Sequence, residues 1–131
     1  APLLANALVD IGFIELAESA VDEAAASFAA SLAIYRTERV THTLVWIVEG
    51  LAAVALARSA PAVATRLLAA TGSLRTEIGF AEGYYSIGDE VRERTLKDAH
   101  ELLGDAAFAT ASAAGENLSL EELADDAALV V

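Results

Sequence analysis

The chain repeats itself at a displacement of 40 residues, and this narrows the possible folds more than any other feature of the sequence. Residues 16–30 read LAESAVDEAAASFAA and residues 56–70 read LARSAPAVATRLLAA, with identities at Leu16/Leu56, Ala17/Ala57, Ser19/Ser59, Ala20/Ala60, Ala24/Ala64, Ala29/Ala69 and Ala30/Ala70. Five of these seven are alanines in a chain with 31 alanines among 131 residues, so they discriminate little. Matches of character are firmer: Leu8/Val48, Ile11/Leu51, Gly12/Ala52, Ile14/Val54 and Phe28/Leu68. A unit of this length holds two helices, cannot bury its apolar face alone, and does so by stacking on a neighbour. Abundant alanine with only two prolines favours closely packed helices and nearly excludes a β-sandwich or barrel.

Periodicity and punctuation place seven helices. The first spans roughly residues 3–18, with Leu4, Leu8 and Ile11 at helical spacing. Ser19 with Asp22 three residues on resembles an N-cap, so a second helix is expected over about 20–36, with Ala24, Phe28, Leu32 and Tyr35 as its buried stripe. A third, over 41–58, is apolar on nearly every side and belongs in the middle of a stack. Pro61 at a first helical position opens a fourth over 61–77, stopping before Gly79. Residues 79–88 (GFAEGYYSIG) have no helical period and are expected to form a loop. An amphipathic helix over 89–103 is closed by Gly104, a short one over 105–114 by Gly115, and Ser119 with Glu122 forms a capping box for a last helix to about 129. The expected architecture is one all-α domain, a right-handed helical repeat: two hairpins over 1–78, a loop over 79–88 and a helical cap over 89–131.

Charge and composition exclude several functions. Eight basic against 20 acidic side chains give a net charge of −12, and with no basic cluster this segment is not expected to bind nucleic acid. There is no cysteine, hence no disulfide, thiol nucleophile or thiolate metal site. The most apolar stretch, residues 43–57, is only about 15 residues long and carries Glu49, whereas a membrane span needs ~20. No signal peptide is recognisable, and a cytoplasmic location is expected. The abrupt helical start is expected of a fragment of a longer protein.

In the first hairpin Leu8, Ile11, Gly12, Ala24 and Phe28 fall at the offsets of the tetratricopeptide signature: a small residue where helices cross and an aromatic packed into the crossing. The strings VEGLAAVALARSAPAVATRLLAATGSLRTEIG (48–79) and LLGDAAFATASAAGENLSLEELADDA (102–127) resemble the C-terminal region of large bacterial regulators that carry an ATPase module, tetratricopeptide-like repeats and often a LuxR-type DNA-binding domain. The resemblance covers about residues 5–129. Departures are Glu15 and Ser31 in the first hairpin, Ala52 and Leu68 in the second, Tyr84-Tyr85-Ser86 for a proline-rich turn, Arg92 for a tyrosine and Ser112 for a tryptophan.

The resemblance implies a concave groove whose ligand-facing positions are Asn6, Val9, Phe13 and Leu16, then Trp46, Glu49, Ala53 and Leu56. Only Asn6 suits recognition of a terminal carboxylate; an apolar groove with Phe13 and Trp46 suits an amphipathic helix or an apolar ligand. The competing expectation, which we favour, is that these residues are covered by the chain's own last helices or by preceding repeats.

Little in the sequence points to chemistry, and neither catalytic residues, a metal nor a cofactor is expected. His42 and His100 lack histidine partners at i+3 or i+4, and there is no G-x-S-x-G elbow, glycine-lysine loop or G-x-G-x-x-G. The carboxylate pairs Asp89/Glu90, Glu121/Glu122 and Asp125/Asp126 suit first turns and solvent faces. Glu49 differs, because it interrupts the most apolar helix and a buried carboxylate must find a partner: a backbone group or Arg75 on the structural reading, a groove ligand on the functional one. The expected function is a non-catalytic interaction or sensor module of a bacterial transcriptional regulator, with a protein or peptide partner, the parent chain's own domains included. The alternative is a stand-alone small helical ligand-binding protein or enzyme with an apolar pocket around Trp46 and Glu49. Homodimerisation through exposed apolar faces is a third option.

Overall fold

The computed structural model describes residues 2–80 and 85–131. Among these there are seven helices and no strand: α1 (Pro2–Ala17), α2 (Val21–Glu38), α3 (Thr41–Ala57), α4 (Pro61–Ile78), α5 (Ser86–Leu103), α6 (Asp105–Gly115) and α7 (Leu120–Ala128). The chain is all-α.

The 40-residue displacement reappears as backbone geometry. Ser19 and Ser59 both adopt left-handed conformations, φ 62° and 64°. The amide of Ala20 donates to the Glu15 carbonyl (2.8 Å) and that of Ser19 to Leu16 (3.0 Å); Ala60 donates to Ala55 (2.9 Å) and Ser59 to Leu56 (3.0 Å). Each turn is therefore a Schellman motif with serine where glycine is usual. Ser19 is thus not the N-cap its spacing with Asp22 suggests; α2 opens on Ala20 without a side-chain cap. The displacement extends to the ends of the second helices, where Arg39 (φ 59°) and Gly79 (φ 68°) again turn left-handed.

Side chains fix the hairpins. Glu15 meets Ser27, Gly12 meets Phe28 and the Ala5 carbonyl accepts from Ser31 (2.9 Å), an opposite order that makes α1 and α2 antiparallel. The expected stripe of α2, Ala24, Phe28, Leu32 and Tyr35, is buried. On α1, by contrast, the buried face is Ala5, Val9, Gly12 and Phe13, and the expected apolar residues Leu4 and Ile11 point outward. Phe28 is seated on two glycines from different hairpins: a Cβ on Gly12 would lie 2.7 Å from its ring, and one on Gly50 of α3 2.2 Å. The helix that is apolar all round occupies the centre, with every residue from 43 to 52 buried, as α1, α2, α4, α5 and α7 all pack on it.

The last three helices close the stack. Helix α5 lies on α3 and α4, α6 on α4, and α7 on α3 and α4. Helix α5 starts at Ser86, so Gly88 is helical and buried rather than part of a loop; residues 81–84 of that expected loop, Tyr84 included, lie outside the described residues. Gly104 (φ 80°) ends α5, and His100 there stacks on Phe108 of α6 with ring centroids 4.1 Å apart. Gly115 does more than terminate α6: it is buried, and a Cβ would lie 2.1 Å from the Arg66 carbonyl oxygen, so α6 and α4 touch backbone to backbone. The Ser119/Glu122 capping box forms reciprocally, and hydrogen bonds from Ser119 hold the Glu122 carboxyl below its usual range. Arg36–Asp125 and Arg66–Asp126 pairs fasten α7 to α2 and α4.

Candidate functional site

Glu49 lies on α3 with no exposure to solvent. A carboxylate there must be met by donors, because burying an unpaired charge costs several kcal/mol (~). Arg75, one turn before the end of α4, grips it with two bonds, Nε to Oε2 at 2.8 Å and Nη2 to Oε1 at 2.6 Å. Arg92 of α5 adds Nη1 to Oε2 at 3.0 Å, and the same nitrogen reaches Thr71 Oγ1 (2.7 Å) and the Leu68 carbonyl (3.0 Å). Arg75 also donates to Asp89 at 3.0 Å, and Phe80 covers its guanidinium, 4.8 Å from the ring centroid. Two arginines thus balance two carboxylates.

Burial works against the charged form of Arg75, but the hydrogen bonds and fields of Glu49 and Asp89 outweigh it and raise its pKa. For Arg92 burial prevails over the attraction of Glu49 and lowers it. Both guanidinium groups stay charged, since arginine does not lose its proton in proteins. With both oxygens held, Glu49 is a fastener between α3, α4 and α5. Asp89, expected to be a solvated first-turn acid, belongs to this network.

Next to it is an aromatic cluster. Trp46 packs on Tyr85 (centroids 4.9 Å) and Phe80 (5.8 Å), and Phe13 meets both Tyr85 (5.7 Å) and Phe28 (5.2 Å). The Tyr85 hydroxyl donates to Asp10 of α1, and burial together with that bond pushes its pKa well above the ordinary tyrosine value. Residues flanking the α4–α5 connection thereby roof the groove between α1 and α3.

Below this roof the groove stays open. A cleft of about 530 Å3 has Phe13 and Leu16 of α1, Val21 of α2, and Ala53 and Leu56 of α3 on one side; Val91 and Thr95 of α5 face them. Glu90, Arg94 and Asp98 also line it. The volume falls within the range of ligand pockets. Of the eight groove residues expected from the sequence, Phe13, Leu16, Ala53 and Leu56 line this cleft. The other four do not: Val9 and Trp46 are buried in the core, Asn6 accepts a hydrogen bond from Thr43 (3.0 Å), and Glu49 is sealed in its ion pairs.

On α5 the sequence marks Asp89 and Glu90 only as a solvent-facing pair, although one joins the ion network and the other lines the cleft. Arg92 was noted only as a departure from a tyrosine, and Val91 and Thr95 not at all. A signal was present: Gly88, Thr95 and Ala99 are small residues at helical spacing with Arg92 four and three residues from the first two, and that face is the buried one. His42 is exposed beside Phe80, His100 pairs with Asp105 (2.7 Å), and among the described residues no three His, Asp or Glu side chains converge as a metal site. No helix among them is long and apolar enough to cross a membrane. No family model matches the chain, nor does any curated protein or solved structure.

Proposed function

We propose that this chain is a non-catalytic interaction module of a bacterial transcriptional regulator, receiving an amphipathic helical segment in the α1–α3–α5 cleft and relaying its presence to ATPase and DNA-binding modules outside this chain. The observation that carries the reading is the cleft itself. It is apolar where α1 and α3 line it, and its α5 side bears charges of both signs, Glu90, Arg94 and Asp98. That combination suits a helix with one apolar face and a mixed polar one. Because α5 is bolted to α3 and α4 through Glu49, a segment that wedges α5 outward would strain the ion network, which gives the module a route for the signal. The regulator context rests on the resemblance of residues 48–79 and 102–127.

The reading frame containing the chain is expected to encode a nucleotide-binding and a DNA-binding module; a frame without them removes the regulator context. In that full-length protein, Leu56→Lys places a charge in the half-buried cleft wall. We expect it to abolish the transcriptional response to signal while basal DNA binding and the thermal midpoint of the domain hold. A response that survives Leu56→Lys rejects the cleft as receiver.

A further inference from the structure

The first helices of the two hairpins carry matching stripes with opposite fates. On α3 the stripe is Thr43, Leu44, Ile47, Gly50, Leu51 and Val54, buried throughout, with Leu44, Ile47, Leu51 and Val54 at 0% exposure. Forty residues earlier, α1 has Leu3, Leu4, Ala7, Asp10, Ile11 and Ile14, and all six are exposed; Leu4, Ile11 and Ile14 are 55%, 46% and 56% open. A row of aliphatic side chains along one helix face differs from single apolar residues scattered on a surface. What packs against α3 on that side is a helical hairpin, α1–α2, with Phe28 pressed onto Gly50.

We infer that the outer face of α1 seats a further antiparallel helical hairpin, one 40-residue step ahead of α1–α2, as α3 seats α1–α2. The turns at Ser19 and Ser59 and the helix ends at Arg39 and Gly79 show that this step is built into the backbone. A second copy of the chain is the poorer occupant. Pairing two α1 stripes would bring the Asp10 side chains of both copies into the seam and join two chains of charge −12. Asp10 also specifies the occupant: it stands where α3 has Gly50, so the hole that takes Phe28 is filled. Because the Asp10 carboxylate already accepts from the Tyr85 hydroxyl, the incoming hairpin presents a small residue at the position of Phe28, and an aliphatic ridge elsewhere.

The test joins a copy of residues 1–40 directly ahead of residue 1 of the full chain, keeping the step, with Phe28→Ala in the added copy to accommodate Asp10. Hydrogen exchange of the α1 amides is expected to slow by about tenfold or more, with a higher thermal midpoint. Leu4→Asp with Ile11→Asp in the original α1 should cancel both gains. Unchanged exchange and midpoint overturn the inference, as does protection that survives the double substitution. Concentration-dependent dimerisation of the 131-residue chain in sedimentation equilibrium, reversed by Ile11→Asp, overturns it in favour of self-association. Leu4 and Ile11 do not line the cleft, so failure of the cleft reading leaves these readouts unmoved.

Discussion

The two hairpins share turns, step and helix ends, yet they solve the same packing position with opposite chemistry. In the first, Val9 of α1 and Tyr35 of α2 are buried apolar side chains. In the second, 40 residues on, the same positions are Glu49 and Arg75, joined by two hydrogen bonds. The first hairpin is closed by an aromatic ring set on glycines, the second by a buried ion network that draws in Arg92 and Asp89 of α5. The difference lies in what comes next along the stack. Beyond the first hairpin is α3, an apolar helix to which greasy contact suffices. Beyond the second is α5, an amphipathic helix that must be held in one orientation, and directional hydrogen bonds to charged groups fix orientation where dispersion contacts do not.

The largest expected effects come from removing each hairpin's closure. Glu49→Val, which gives the second hairpin the first one's residue, leaves two part-buried guanidinium groups with Asp89 as the carboxylate left in the network and should cost about 3–5 kcal/mol in denaturant unfolding. A loss below about 1 kcal/mol would mean that the network contributes no structural fastening. Phe28→Ala empties the crossing of α1, α2 and α3 and should cost a similar ~3–5 kcal/mol, read as a fall in the unfolding midpoint. The two losses should differ in where they act: hydrogen exchange is expected to loosen α5 first in Glu49→Val, and α1 and α2 first in Phe28→Ala.

Next in size is Gly50→Ala. Its new Cβ would fall 2.2 Å from the Phe28 ring, and the forced shift should cost about 1–3 kcal/mol. In a Phe28→Ala background the same change should cost much less, and a double-mutant cycle measures that coupling. Additive losses would place the Phe28 ring elsewhere.

Tyr85 gives a smaller, pH-dependent effect. Its folded pKa is raised above the ordinary 10.0 by burial and the bond to Asp10, so the stabilisation is fully present below about pH 10 and is lost as pH rises beyond it. Tyr85→Phe should lower stability by about 1 kcal/mol at neutral pH. The gap between variant and parent should narrow as the pH rises above 10; a constant gap would dissociate the hydroxyl from Asp10.

Smallest are Ser19→Gly and Ser59→Gly. Each relieves a left-handed serine at the cost of a more flexible unfolded chain, for a net gain of about 0.5–1 kcal/mol. Because the two turns share geometry, the gains should agree within a few tenths of a kcal/mol; unequal gains would break the equivalence of the hairpins where it is most exact in the backbone.

Much of the fold was legible in the sequence because helices are local objects. Pro61, Gly104 and the Ser119/Glu122 box mark boundaries through interactions within a few residues, and the structure places α4, α5 and α7 accordingly. Misreadings arose where two local roles compete. Ser19 resembles a cap by spacing with Asp22, but the left-handed turn that ends α1 claims it first. The start of α5 was hidden because Gly88 reads as a loop residue until Trp46 and Tyr85 pack against it. The groove was less legible still, since whether a side chain lines a cleft depends on helices remote in sequence.

The sequence by itself determined the number of helices, the 40-residue step and the central place of α3, because propensity, periodicity and punctuation are properties of neighbouring residues. It also singled out Glu49 as a charge that had to be paired. Only the tertiary structure decided the pairing with Arg92 as well as Arg75, the roofing of Trp46 by Phe80 and Tyr85, and the unequal burial of Ile11 and Leu51 or Ile14 and Val54. Burial and pairing are settled by which elements meet in space, and residues of matching character take opposite environments when one helix has neighbours on every side and the other has one face open.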